Sequence, residues 1–341
     1  MDLHKVINVR HLVIKALCWW YGKWSRANNL VKPCTDSKAD RRDHQCQPNC
    51  CGICKIKRLK LLRIRSTAHD CADGITMNND LDLIVKKYPQ NWNVLRVYAL
   101  GDVHVGSEQF DERAVKTKIQ RIKDDEQGVV VLCGDLGDYG LKNSKTNVYQ
   151  ATMQPKEQQE YIYQLFLPIA DKIAAAVPGN HEERITKEVG LCPLYDLCVR
   201  WGVPEVYREN VAITKYLFGS KHNGRPIVFI GATSHGTTRN KHRRFINCFD
   251  GVDFAVSGHT HTPEYSPHGK IRVDSISATA KHVPYKEIVV DANLSVGGYG
   301  VKKEYEIPPP PELQYLELSM YREANNARTQ HKVMDYHAIQ I

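Results

Sequence analysis

Five short β-rich runs between residues 94 and 261 each end in acidic, imidazole or amide side chains beside a glycine or proline, and this arrangement constrains the fold more than any other feature. "VLRVYAL" leads into "GDVHVGS" with Asp102 and His104, and "GVVVLC" into "GDLGDYG" with Asp135 and Asp138. "AAAV" leads into "PGNHEER" with Asn180 and His181, "RPIVFIGAT" into "SHG" with His235, and "VDFAVS" into "GHTHTP" with His259 and His261. Helical spacing fills the gaps: "DERAVKTKIQRIKDD" sets Ala114, Ile119 and Ile122 on one face, "PKEQQEYIYQLFLPIADKI" is amphipathic, and "RNKHRRFINCF" predicts a basic helix. "KIRVDSISATA", "EIVVDANLSV" and "ELQYLELS" predict a strand-rich C-terminal half. The alternation predicts an α/β domain, whose strand carboxyl ends are where ligand sites gather. The five polar clusters are therefore expected on one edge.

Asp-x-His and His-x-His place alternate side chains on the same side of extended backbone. Their mixed oxygen and nitrogen donors suit manganese, iron or zinc rather than calcium or magnesium. Two ions fit the donor number better than one, with a carboxylate shared between them. Such a pair, about 3.5–4 Å apart, can clamp the attacking and leaving oxygens of a displacement at phosphorus. The glycines beside Asp102, Asp135, Asn180 and His259 allow tight turns and close approach of backbone. Any single motif of this kind is more often a turn or a satisfied core histidine; the ordered set of five is what argues for a metal centre.

This set, D-x-H, G-D-x-x-D, G-N-H-E, a solitary His before Gly, and G-H-x-H, resembles the calcineurin-like metallophosphoesterase superfamily over roughly Val94 to Tyr315. The run "LKNSKTNVYQATMQPKEQQEYIYQLFLPIADKI" is further similar to metallophosphoesterases of bacteriophages and prophages, which are likened to double-strand-break repair nucleases. The resemblance implies a four-layer αββα sandwich of two mixed β-sheets flanked by helices. It implies one divalent ion held by Asp102, His104 and His261, a second by Asn180, His235 and His259, and Asp135 between them, with manganese the expected metal and iron or zinc the alternatives. Hydrolysis of phosphate esters by a hydroxide held between the ions follows from the same resemblance. His181 is then the expected general acid or charge stabiliser at the leaving oxygen, and Asp138 its orienting carboxylate.

Departures from the family pattern narrow the substrate. Protein phosphatases of the superfamily carry G-D-x-x-D-R-G and R-G-N-H-E, whose arginines grip phosphate; here "GDLGDYG" and "PGNHEER" lack them. Arg184, Arg239, Lys241, Arg243 and Arg244 are the candidate substrate contacts, against the alternative that Arg184 is a structural ion-pair partner and the others form a solvated helix face.

Charge and cysteine single out residues 1–90 as a basic, Cys-rich appendage to a domain expected over 91–341. The first 90 residues hold 17 Lys/Arg against 8 Asp/Glu, a surplus equal to the whole net charge of +9. Seven of the 11 cysteines lie there, and an odd total without an export signal argues against a disulfide framework. Cys46, Cys50, Cys51 and Cys54 are candidate ligands of a structural zinc, although a second Cys-x-x-Cys turn is missing. The stretch Lys55 to Arg65 is a candidate nucleic-acid contact or a helix packed on the main domain. No stretch is apolar and long enough to span a bilayer, so a cytoplasmic location is expected, in a bacterial host if the gene is a phage one. The function expected is a metal-dependent phosphodiesterase acting on DNA. The alternatives are a small-molecule phosphomonoesterase or cyclic-nucleotide phosphodiesterase, and a non-catalytic nucleic-acid-binding scaffold; the sequence is compatible with a monomer or a homo-oligomer.

Overall fold

The computed structural model describes residues 81–341 apart from 142–150, 222, 275–277, 298–300, 302–306, 308 and 324–325. Cys46, Cys50, Cys51, Cys54 and the basic Lys55 to Arg65 stretch lie outside the described residues.

Two mixed sheets make up the domain. The strands are β1 (Ile84–Lys87), β2 (Val94–Leu100), β3 (Gly128–Leu132), β4 (Ile173–Ala176), β5 (Val211–Phe218), β6 (Ile227–Ser234), β7 (Phe254–Ser257), β8 (Glu264–Asp274), β9 (Thr279–Val289), β10 (Glu312–Glu323) and β11 (Asn326–Gln340). One sheet has the order β11-β10-β2-β3-β4, the other β1-β5-β6-β7-β9-β8. The helices are α1 (Glu112–Asp124), α2 (Pro155–Phe166), α3 (Asn180–Val189), α4 (Pro193–Arg200) and α5 (Arg239–Ile246).

Strand alternation divides the apolar side chains between two faces and so dictates the layering. Leu95, Val97 and Ala99 of β2 face inward with Val129 and Val131 of β3, and pack against Tyr216, Phe229, Phe254 and Ile288 of the other sheet. Tyr98 and Leu100 turn outward, where Val115, Ile119 and Ile122 of α1, Ile162 and Phe166 of α2, and Leu194 and Leu197 of α4 cover them. A third, smaller core joins Val211, Ala232, Ala255 and Tyr285 on the far face of the second sheet to Ile246 of α5. Three cores between four layers are the expected αββα sandwich.

Several local expectations need correction. Ile84–Lys87, placed by the sequence in the N-terminal appendage, pairs in parallel with β5 as an edge strand, so the sheet begins before residue 91. The long helix expected from Pro155 stops at Phe166. Pro168 follows within a 3-10 turn over Leu167–Lys172, and Ile173 already belongs to β4. "KIRVDSISATA" is not one strand: β8 ends at Asp274 and β9 returns from Thr279 in antiparallel register. Among the described residues no helix is long and apolar enough to cross a membrane.

Candidate metal centre

The parallel pairs β2-β3, β3-β4 and β6-β7 point their carboxyl ends the same way within each sheet, and the candidate donors lie in the loops that follow or, for Asn180, at the first residue of α3. Asp102, Asp135 and Asn180 come from the five-stranded sheet; His235, His259 and His261 come from the six-stranded one.

The local backbone differs from the extended geometry expected of Asp-x-His and His-x-His. Asp102, His104, Asp135, His259 and His261 all have positive φ, between 48° and 74°. This left-handed region is costly for side chains other than Gly, although Asp, Asn and His tolerate it best, and it concentrates where surrounding structure over-determines the conformation. Left-handed turns at both members of each pair, rather than strand alternation, bring their side chains together.

Two features hold the turns. Glu182, three residues into the "GNHE" segment and 1% exposed, accepts main-chain N–H groups from Asp135 and Leu136 at 2.8 Å and from Gly179 at 2.9 Å. The Gly134 and Gly179 backbones also touch. Gly134 has φ 83°, and a Cβ there would lie 2.3 Å from the Gly179 nitrogen, while one on Gly179 would lie 2.1 Å from Asp135 Oδ1. Only glycine fits either place. Sequence reasoning overlooked Glu182, although a Glu three residues after the turn glycine is a helix-capping signature that could have found it.

Around Asp135 the donors form a cluster. His104 Nε2 and His261 Nε2 are 3.1 Å apart, and Asp102 Oδ1 lies 3.6 Å from His261 Nε2 and 4.0 Å from His104 Nε2. On the other side His259 Nδ1 lies 2.9 Å from Asn180 Oδ1 and 3.2 Å from His235 Nε2. Asp135 Oδ2 is 3.3 Å from His235 Nε2, and its Oδ1 accepts the His181 N–H from the first turn of α3 at 2.8 Å. His235 Nδ1 donates to the Cys133 carbonyl at 2.7 Å, which turns Nε2 toward the cluster. Spacings of 3–4 Å between such atoms are those of ligands sharing an ion at about 2 Å.

A cation fits this donor set. Asp102 is fully buried, its Oδ2 accepts the His259 N–H at 2.8 Å, and its Oδ1 has no hydrogen-bond partner. A buried carboxylate oxygen in that state is costly unless a positive charge meets it. Titration behaviour follows the same charges. Burial pushes His104 well below the usual imidazole range, and His181 and His261 add to this; burial and His235 likewise lower His259. His235 goes the other way: burial opposes its charged form, but Asp135 outweighs it and pushes the pKa up to about 10. Asp135, though buried, is held far below the carboxylate range by His235, His181 and His104.

His181 sits at the rim. Its Nδ1 is 2.6 Å from the Asp138 main-chain oxygen and 3.4 Å from Asp138 Oδ1, and its Nε2 is 2.9 Å from Arg184 Nη2. Asp138 thus contacts the ring chiefly through its carbonyl. Of the other basic candidates, Arg243 does not turn to the cluster: it pairs with Glu264 and Glu287 and donates to Ser266 Oγ at 2.8 Å, fastening α5 to β8 and β9. Arg244 is exposed on α5, and the side chains of Arg239 and Lys241 on that helix lie outside the described ones.

Residues 95–263 match the family model described as calcineurin-like phosphoesterase. No curated protein matches the chain. Among solved structures, Vps29 of Entamoeba histolytica in complex with Zn2+ is 11% identical over 72% of this chain and 99% of its own, with a TM-score of 0.33. A metallophosphoesterase of Sphaerobacter thermophilus is 16% identical over 71% of this chain and 90% of its own, with a TM-score of 0.32. A conserved uncharacterized protein of Streptococcus pneumoniae, described as a predicted phosphoesterase, is 10% identical over 72% of this chain and 99% of its own, also with a TM-score of 0.32. Likeness at this level carries no argument about substrate.

Proposed function

For a chain whose residues 95–263 are a calcineurin-like phosphoesterase domain, and which is accordingly a metal-dependent hydrolase of phosphate esters, we propose phosphodiesters, DNA in particular, as the substrate. In this reading Asp102, His104 and His261 hold one divalent ion, Asn180, His235 and His259 a second, and Asp135 stands between them. Divalent ions so placed supply Lewis acidity and a water-derived nucleophile usable at neutral pH. The protein's own part is to hold the donors in position, through Glu182 and the close Gly134–Gly179 contact, and to meet the charge of the phosphate.

The observation that carries the diester reading is the guanidinium of Arg184 at the rim, the one that stands beside His181 among the described side chains. Arg184 is hydrogen-bonded to His181, while Arg243 is committed to Glu264 and Glu287. A diester has one negative charge and a monoester two near neutral pH, so one cation beside the donor cluster, counted among the described side chains, suits the diester better. The basic first 90 residues and the similarity of the run from Leu141 to Ile173 to phage-type enzymes favour DNA over a small diester.

The test is manganese-dependent cleavage of single- and double-stranded DNA alongside bis(p-nitrophenyl) phosphate and p-nitrophenyl phosphate, with His181→Ala as control. DNA cleavage that competes with the small diester supports the reading. Rapid turnover of a small ester without DNA cleavage overturns the DNA substrate and leaves the phosphoesterase in place.

A further inference from the structure

The strands that end the two sheets are protected unequally. Among the described residues β1 and β8 flank one sheet, and β4 and β11 the other. An edge strand offers its unpaired main-chain N–H and C=O groups to any chain that can lie beside it, and short length and proline are among the usual defences. β1 and β4 have four residues each, and β8 carries Pro267, which has no N–H to give. β11 has neither defence. It runs for 15 residues, Asn326–Gln340, without proline or glycine, where a usual strand has about five or six. One side of it pairs with β10, and no strand among the described residues lies along the other. Met334 and Tyr336 turn toward the second sheet, so alternation puts Val333 and Asp335 on the outer face.

The geometry points to a second copy of this chain as the partner of that edge, β11 of one copy pairing antiparallel with β11 of the other so that two five-stranded sheets join into one. Such a contact is isologous about a two-fold axis normal to the sheet. The axis keeps each face on its own side, so a residue can only oppose one of its own parity in the alternation. Charge and length then select the same register. With Val333 on the axis, Asn326 meets Gln340 and all 15 residues overlap. Asp335 falls opposite His331 and Lys332 opposite Met334, and no position sets two charges of one sign against each other. Other registers lose on both counts. An axis at Lys332 opposes lysine to lysine and one at Asp335 acid to acid, each destabilising, and one at Met334 sets His331 against His337; all three shorten the overlap. β11 runs in the sense of β2, since Ala338 and Ala99 both lie opposite Gln314, so its carboxyl end is at the metal-centre end. Antiparallel pairing therefore sets the two centres at opposite ends of the joined sheet. The inference rests on strand order and sequence and not on the substrate.

The test is sedimentation velocity of the full-length protein over about 1–100 μM, the range of weak to moderate association. Wild type should form a dimer. His331 and Asp335 are exposed, so both can be changed without disturbing a core. Asp335→Arg removes the opposite charge at two symmetry-related positions and should weaken association about tenfold. The His331→Glu/Asp335→Arg double variant restores opposite charges in reversed order and should recover most of the loss. Circular dichroism matching wild type separates loss of the dimer from loss of the fold. Cross-linking fixes the register. Val333 opposes itself at a Cα separation of about 4.5–5.5 Å, which a disulfide can span. Val333→Cys should therefore give a covalent dimer with oxidised glutathione, above the level seen in wild type with its native cysteines. Asp335→Cys, whose two copies lie about 13 Å apart along the strands, should not. A wild type that sediments as a monomer throughout, or a dimer that Asp335→Arg leaves unchanged and Val333→Cys fails to capture, overturns the assignment.

Discussion

Glu182 holds Asp135 by the main chain, its Oε2 accepting the Asp135 N–H at 2.8 Å, and the same oxygen takes the Gly179 N–H at 2.9 Å. One buried carboxylate thereby joins the loop after β3, which presents the central carboxylate of the cluster, to the turn that presents Asn180 and His181. Replacing Glu182 by Ala strands several buried N–H groups, each costing about 1–3 kcal/mol. Glu182→Ala should therefore lose about 3 kcal/mol or more in urea unfolding of the metal-free protein, and Glu182→Gln, which keeps one acceptor oxygen, distinctly less. Equal stability of Glu182→Ala and wild type would refute the role.

Asn180 and His181 are neighbours with separate tasks. Asn180 Oδ1 lies between His235 and His259, at 3.1 and 2.9 Å from their ring nitrogens, whereas His181 contacts Arg184. Asn180→Ala should weaken metal retention about tenfold or more, measured by elemental analysis after dialysis against a metal buffer. His181→Ala should retain metal and lose turnover.

Metal binding should release protons. In the metal-free protein His235 has a pKa of about 10, so its Nε2 is protonated at neutral pH and must lose that proton to become a donor. Affinity should climb with pH until about 10, and calorimetric titration in two buffers of different ionisation enthalpy should reveal the proton released. Stability has the opposite sign. A histidine whose folded pKa lies above its unfolded value of about 6.5 contributes fully below that value, and the contribution disappears as pH rises through the folded pKa. Thermal melting of the chelator-treated protein should accordingly fall between about pH 6.5 and 10.

Lys118 and Asp291 form a buried pair away from the cluster. Lys118 is fully buried, and its Nζ donates to both Asp291 oxygens at 3.1 and 2.9 Å. Lys118→Met should cost about 3–5 kcal/mol by leaving a buried carboxylate without its partner. The double variant Lys118→Met/Asp291→Asn should recover much of that loss. Denaturant unfolding of the three proteins decides it.

The parts of the fold legible in the sequence are those where period and punctuation agree. β2, β3, β6 and β7 were readable because Val, Ile and Phe runs stop at Gly, and α1 because Ala114, Ile119 and Ile122 recur at helical spacing. The convergence of Asp102, His104, Asp135, His235, His259 and His261 followed from the order of those stops, and that of Asn180 from the end of β4 before Pro178 and Gly179. What could not be read depends on tertiary contacts. The pairing of Ile84–Lys87 with β5 is decided by a partner more than 120 residues away, and the reversal after Asp274 interrupts what looks like continuous β sequence. The left-handed turns at Asp102 and His261 have no period at all. The ion pairs that take Arg243 away from the cluster involve Glu264 and Glu287, on strands that only the sheet order brings beside α5.

The division of donors between the two sheets has a mechanical consequence. Asp102 and Asp135 are anchored in one sheet and His235, His259 and His261 in the other, so ions among them would act as rivets through one end of the sandwich. Chelation should then let that end breathe, and hydrogen exchange at the β3 and β7 termini should quicken together while the opposite ends of the same strands stay protected. A hydrolase built this way reports the loading of its reaction centre in the stiffness of one end of its framework.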